Sequence, residues 1–272
     1  MSQAWWNGRL VPAEEVRIAP DDPGFLFGDG LFETLRVEDG RPRDLPAHLD
    51  RLYAGLHRLG IELPERLCDL GHAVFEVAQA APRPVARLRI TVSRGTCLIT
   101  AVLYEPLGED LYEGGVAAVL LPKYRIDSRG PLAGLKSLSY QMNRLALREA
   151  EARGAFEALL VNEQGRLVEG SRSNVALVLP EGIFTPPEAD GCLPGTVRRR
   201  LLEAGAVRER PLSPEDLARG NGLLLMNSLI GVLPVSRIDG REIPVAPEAA
   251  RLRELLPTAG SPGWAAPRPP RA

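Results

Sequence analysis

Among the 33 Lys and Arg residues of this chain, only Lys123 and Lys136 are lysines. A protein that draws its positive charge almost wholly from arginine has kept an amine at two places. Arginine stays charged, whereas a desolvated lysine gives up its proton and becomes a nucleophile. At a reference pKa of ~10.4, a free lysine is unprotonated about once in a few thousand at neutral pH, so an amine that attacks a carbonyl needs a perturbing environment. Lys136 lies in the run Leu132-Ala133-Gly134-Leu135-Lys136-Ser137-Leu138, an apolar sequence setting. Taken alone, it reads more simply as a helix-start lysine whose ammonium reaches water.

Three further features shift that balance. Glu169 stands at a strand end, followed by the small residues Gly170, Ser171 and Ser173. Gly195-Thr196-Val197 opens a helix, and Asn227-Ser228 ends a strand. An imine-forming amine, an acid for a ring nitrogen and a phosphate cup are the parts that a pyridoxal 5′-phosphate (PLP) site needs. In this reading Glu169 keeps the pyridine nitrogen protonated, and the ring withdraws electrons from a substrate carbanion. Free amides and the helix dipole at Thr196 and Val197 favour a dianion. The Thr196 and Ser228 hydroxyls add donors, and Arg51 is the fixed positive partner. Helix starts of this kind are common singly; the combination carries the reading.

These residues must be positioned by regular elements. Segments 5–11 (turning at Asn7-Gly8), 32–37, 85–93, 98–104 and 115–121 read as strands, with turns at Asp21-Asp22-Pro23-Gly24 and Asp39-Gly40. Leucines at helical spacing predict a helix over 45–59 stopped by Gly60, and a second runs over 66–81 to Pro82. Gly28-Asp29-Gly30 reads as a loop, since neither a Gly-Lys-Ser/Thr nor a helix follows. The polar stretch 122–130 is the predicted linker between domains 1–121 and 131–256. Beyond it come a helix over 138–153, strands over 157–161, 166–169 and 174–179, and a helix over 195–204. Ser213-Pro214-Glu215 reads as an N-cap with proline at the first helical position. A short strand over 223–226, an irregular or strand-like 230–237 and a helix over 247–255 follow. The Pro/Ala-rich tail 257–272 is expected to be disordered.

The totals exclude several classes. A length of 272 residues, 44% hydrophobic and 25% charged, fits a soluble globular chain of one large domain or two modest ones. A net charge of −2 provides no field toward nucleic acid or acidic membranes. No apolar run reaches membrane-spanning length, and the N-terminus carries no secretory pattern. Cys68, Cys97 and Cys192 are odd in number and widely spaced, which points to reduced cytoplasmic thiols; with His48, His57 and His72 they form no zinc pattern, so no metal is expected.

The segments FGDGLFETLRV (27–37), HLDRL (48–52), LKSLSYQMNRLALREA (135–150), EALLVNEQGRLVEGSRSNV (157–175), LPGTVRRRLL (193–202) and MNSLIGVLPV (226–235) together resemble the class IV PLP-dependent aminotransferases. The resemblance runs from about Gly24 to Val235. It implies the α+β fold of PLP fold type IV, D-amino acid aminotransferase-like. In that fold a small N-terminal α/β domain and a larger C-terminal mixed β domain flank the site, in a homodimer. It implies Lys136 as the lysine that condenses with the cofactor and shuttles protons, Glu169 at the pyridine nitrogen, and Arg51, Thr196, Val197 and Ser228 at the phosphate. Phe32, Arg94 and Asn227 fall in the implied substrate pocket. The Asn-Ser-Leu pattern from 227 looks like aminodeoxychorismate lyase, which forms 4-aminobenzoate and pyruvate in folate synthesis. A branched-chain or D-amino acid aminotransferase is the alternative, and a PLP-binding protein without turnover a third reading. Many relatives carry Arg-Gly-x-Gly-x-Arg-Gly-Tyr, whose second Arg helps hold a substrate carboxylate; here only Arg94-Gly95 survives, leaving Arg94, Arg89 and Arg125 as candidates.

Overall fold

The computed structural model describes residues 3–64, 67 and 69–256, which form two compact units. The first unit comprises the described part of Met1–Pro106 with Lys136–Ser139; the second comprises Leu107–Leu135 and Tyr140–Leu256.

The first unit is built on an antiparallel sheet. Strands β1 (Gln3–Trp6) and β2 (Arg9–Pro12) form a hairpin through Asn7 and Gly8, both at positive φ, the left-handed pair that a two-residue turn demands. Where the sequence suggests only a turn, a short helix α1 (Pro23–Phe27) forms. Its cap explains it: one oxygen of buried Asp22 accepts from the Gly24 and Phe25 amides, and the other from the Ser93 and Thr96 hydroxyls. Then follow β3 (Gly30–Glu38), β4 (Arg41–Pro42), α2 (Leu45–Leu59), α3 (Leu70–Gln79), β5 (Val85–Ser93) and β6 (Cys97–Leu103). The order across the sheet is β2-β1-β6-β5-β3-β4. Leu31, Glu33, Leu35 and Val37 line one buried face of β3, Phe32 is buried on the other, and α2 packs on this strand. Gly60 ends α2 in the left-handed conformation, as expected. Helix α3 is capped by Asp69, which accepts from the His72 amide; residues 66 and 68 of the helix expected over 66–81 lie outside the described residues.

The second unit contains α4 (Glu109–Gly114), β7 (Val116–Ile126), α5 (Gln141–Ala152), β8 (Glu157–Asn162), β9 (Leu167–Gly170), β10 (Asn174–Leu179), β11 (Gly182–Thr185), α6 (Thr196–Glu203), β12 (Arg208–Glu209), β13 (Gly222–Asn227), β14 (Gly231–Ile238), β15 (Arg241–Glu242) and α7 (Glu248–Glu254). The sheet runs β12-β11-β10-β13-β14-β7-β8-β9 with β15 on β14. Because β9 also pairs with β10 at Glu169↔Asn174, the strands from β10 round to β9 close on themselves. Strands β8, β10 and β13 read as continuous apolar runs because both their faces are covered. Leu159, Leu177, Leu225 and Val235 share one core; Ala176, Leu224 and Met226 pack with Val197 and Leu201 of α6 and Leu252 of α7.

Three expectations need correction. The stretch 122–130 is not a linker: β7 continues through Ile126, and the first unit ends at Pro106. Pro122 is tolerated because the ladder with β8 shifts register between Leu120 and Arg125, where no proline N–H is needed. The helix expected from 138 starts at Gln141, since the preceding residues are drawn into pairing with β3. Residues 231–238 form a regular strand, joined on both sides by β13 and β7. Helix α4 and strand β11 had no clear pattern in the sequence. The tail 257–272 lies outside the described residues.

Candidate active site

In the first unit, Lys136 is held by its backbone. Its carbonyl accepts from the Phe32 amide at 2.9 Å, and two residues on, the Leu138 amide donates to the Gly30 carbonyl at 2.9 Å. Lys136–Ser139 thus forms a strand-like bridge on the start of β3, centred on Leu31↔Ser137. The Gly-Asp-Gly loop allows this approach. A Cβ on Gly28 would lie 2.6 Å from Ser139 Oγ, and one on Gly30 would strike the Val92 carbonyl. Lys136 is therefore not a helix-start residue. The apolar surface offered to its Nζ is the Phe32 ring, with 4.5 Å to the centroid; Leu132, its sequence neighbour, is exposed. The Arg89 guanidinium lies on the same ring at 3.9 Å. Arg89 stands opposite Thr34 in the β3–β5 ladder, on the same face as Phe32.

Phe32 and Glu33, as strand neighbours, point to opposite faces. Glu33 is buried and takes Arg51 in a two-pronged pair, Nε at 2.7 Å and Nη2 at 2.6 Å, with His48 Nδ1 at 2.7 Å from its second oxygen. Burial pushes the Glu33 carboxyl up, but the Arg51 charge and the His48 hydrogen bond outweigh it and bring the group down to about 2. Burial pushes the His48 imidazole below its ordinary value against the pull of Glu33. Arg51 was expected at the phosphate; the structure adds a carboxylate that aims it. Glu33 was missed, although a glutamate on the buried parity of Phe-Glu-Thr-Leu-Arg-Val was the available signal. Arg94, expected in the substrate pocket, has another task. Its Nε pairs with Asp29 at 2.8 Å, and Nη1 and Nη2 donate to the Gly60 and Leu59 carbonyls. It clasps the end of α2, where cations suit the free carbonyls. Arg125, in the second unit, is exposed and donates to the Pro122 carbonyl.

In the second unit, Glu169 lies where the ring of strands closes. Its Oε2 accepts from the Leu193 amide at 2.9 Å and from Asn174 Nδ2 at 3.4 Å. Asn174 Nδ2 also donates to the Leu193 carbonyl at 2.8 Å, tying the strand to the segment that leads into α6. Gly195 is the N-cap of α6 and no side chain caps the helix; Thr196 and Val197 follow, both buried. A Cβ at Gly195 would collide with Asn174 Oδ1. Ser228 sits in the turn between β13 and β14. Asn227 shapes that turn: its Oδ1 accepts from the Leu229 and Ile230 amides and its Nδ2 donates to the Arg172 carbonyl. These contacts make Asn227 a turn-forming residue.

A family model described as amino-transferase class IV matches residues 30–238. This chain belongs to that family. It is 30% identical over 281 residues to the bifunctional aminodeoxychorismate lyase / D-amino acid transaminase of Mycobacterium tuberculosis, covering 93% of this chain and 96% of the relative. A hypothetical aminotransferase from Mycobacterium tuberculosis in its PLP-bound form matches with a TM-score of 0.83 and 29% identity, over 94% of this chain and 97% of the other. The 4-amino-4-deoxychorismate lyase of Pseudomonas aeruginosa matches with a TM-score of 0.80 and 30% identity, over 92% and 97%. The fold is that of the type IV enzymes, and the class IV cofactor is PLP. The donors in this chain fit it: in the first unit a half-buried amine against an aromatic ring, and in the second a carboxylate held by amide donors and a helix start whose N-cap is glycine. Among the described residues, no group of His, Cys, Asp or Glu could hold a metal ion, and no helix is long and apolar enough to cross a membrane.

Proposed function

We propose that this class IV enzyme is a lyase that converts 4-amino-4-deoxychorismate to 4-aminobenzoate and pyruvate. The observation that supports it best is the Lys136–Phe32–Arg89 cluster, in which an amine and a guanidinium share one aromatic ring. Such a surface suits a flat, anionic substrate. Lys136 Nζ is the amine for the cofactor aldehyde. With substrate bound, Lys136 would take the ring proton and return one to the departing enolpyruvyl group, so that pyruvate leaves and the ring becomes aromatic. Bound PLP would supply the electron sink for this chemistry. Glu169 keeps the pyridine nitrogen protonated. Arg51, the Thr196 and Val197 amides and Ser228 hold the phosphate, and Phe32 lines the substrate pocket. Of the three candidates Arg94, Arg89 and Arg125, Arg89 holds the substrate carboxylate. The reading carries with it a cytoplasmic homodimer serving folate synthesis.

The second reading is an aminotransferase acting on D-amino or branched-chain acids. The bifunctional Mycobacterium tuberculosis relative favours it, and the Lys136 and Glu169 roles serve both reactions. The deciding experiment supplies aminodeoxychorismate to the PLP-loaded protein and follows 4-aminobenzoate, beside keto-acid release from D-alanine and from leucine. Formation of 4-aminobenzoate supports the lyase. Its absence alongside keto-acid release rejects the lyase for the transaminase, and a coloured protein inert toward every substrate rejects both. In the same series Lys136→Ala is expected to lose the near-visible absorbance of the loaded enzyme and all turnover.

A further inference from the structure

The second unit buries a carboxylate that the proposed chemistry does not use. Glu157, at the start of β8, is fully buried. Its Oε1 accepts from the Ser171 hydroxyl at 2.5 Å, the Ser171 amide at 3.0 Å and the Ala158 amide at 3.0 Å. Its Oε2 accepts from the Ser173 hydroxyl at 2.8 Å, with Arg172 Nε 3.9 Å away. Gly170 makes room for this: a Cβ there would lie 2.8 Å from Glu157 Cδ and would strike Ser173 Oγ.

The same loop is gripped from its other side. The Ser171 carbonyl accepts from the Tyr140 hydroxyl at 2.7 Å and from Asn143 Nδ2 at 3.1 Å. The Arg172 carbonyl accepts from Asn227 Nδ2 at 3.2 Å. The loop joins β9 to β10 at the point where they pair, Glu169↔Asn174. A buried carboxylate is poor value as a stabiliser, because apolar replacements of similar volume are often as stable or more so. Burial holds the Glu157 carboxyl above its ordinary value even with these donors around it. What the contacts supply is placement.

We propose that Glu157 is a positioning residue: its carboxylate fixes the 170–173 loop, and through it the Glu169 carboxylate. This rests on the reading of Glu169 as the acid at the cofactor's ring nitrogen. Glutamine at 157 has the same shape and retains the Oε1 acceptor, so it tests the carboxylate with little loss of packing.

The test measures equilibrium affinity for pyridoxal 5′-phosphate and the pH titration of the bound cofactor's absorbance. It compares wild type, Glu157→Gln, Glu169→Gln and the double variant, with thermal unfolding of each unloaded protein. Glu157→Gln is expected to loosen the cofactor roughly tenfold, the scale that outer-shell partners carry at metal sites. It should move the absorbance titration in the same direction as Glu169→Gln, and add nothing to Glu169→Gln in the double variant. Wild-type affinity and absorbance in Glu157→Gln, beside a clear loss in Glu169→Gln, overturn the positioning role and leave Glu169's role standing. No change in Glu169→Gln overturns both. Additive losses in the double variant overturn the proposal, since they show that Glu157 does not act through Glu169. If Glu157→Gln does not fold, Ser171→Ala and Ser173→Ala decide: the same non-additive loosening upholds the proposal, and wild-type binding in both overturns it.

Discussion

Arg89 and Arg94 lie on either side of one strand end, and their surroundings assign them different work. Arg89 rests on the Phe32 ring near Lys136, whereas Arg94 spends each type of guanidinium nitrogen on Asp29 and the end of α2. Arg89→Gln is therefore expected to raise KM for the carboxylate substrate by about 10- to 100-fold, the loss of one charged hydrogen-bond partner, with unfolding unchanged. Arg94→Gln should leave KM alone and cost about 1 kcal/mol in urea unfolding, as its site is half-exposed. Steady-state kinetics and a denaturation curve on the two variants separate these outcomes. At this scale the sequence was partly legible. Lys136 stood out by rarity, Glu169 by its small neighbours, and Thr196 by the glycine before it. The residues that aim them were hidden. Glu33 reaches Arg51 on α2 and Glu157 reaches Ser171 in the loop after β9, and no local spacing announces a contact between residues far apart in the chain.

Elements whose register or cap is set locally followed the pattern. The α2 leucine stripe with its Gly60 stop, and the β5–β6 hairpin, formed close to where periodicity put them. Elements decided by tertiary pairing did not: Leu138 and Ser139 left the expected helix to join the bridge to β3, and β7 ran on past Pro122. Gly195 belongs to the second kind, since its lack of a side chain serves Asn174 rather than a turn. Gly195→Ala is expected to cost about 1–3 kcal/mol by overpacking and to weaken PLP binding, read by chemical denaturation and by titration with the cofactor. The α2–β3 contact also predicts a pH dependence. The folded value of His48 lies below its ordinary 6.5, so the unfolded chain takes up the proton first, and stability is full above 6.5 and falls as the pH drops below it. Glu33 adds a second loss at lower pH. Its stabilisation is complete above 4.5 and disappears as the pH falls toward about 2. Glu157 works the other way, because acid relieves its buried charge. His48→Gln, which keeps a donor for Glu33, should remove the first part of the fall in melting temperature and leave the second. An unaltered profile in that variant would exclude His48 as its source.

At the scale of the molecule, the expected two-part organisation is present but its seam is not where composition put it. A polar, proline-bearing stretch is a good sign of a linker only when no partner strand claims it, and β8 claims this one at Arg125 and Ile126. If the homodimer that accompanies the proposed function is right, light scattering will give twice the chain mass across micromolar dilution; a single-chain mass would remove that part of the proposal. The return of Lys136–Ser139 to the first unit bears on how the gene could be divided. A fragment that stops at Pro106 would leave the Phe32 amide and the Gly30 carbonyl without their bridge partners, and would also lack the lysine on which the proposed reaction turns. Two co-expressed halves cut at that seam would each be chemically incomplete, whereas a nick in the exposed turn at Gln164-Gly165 would spare both the bridge and the amine.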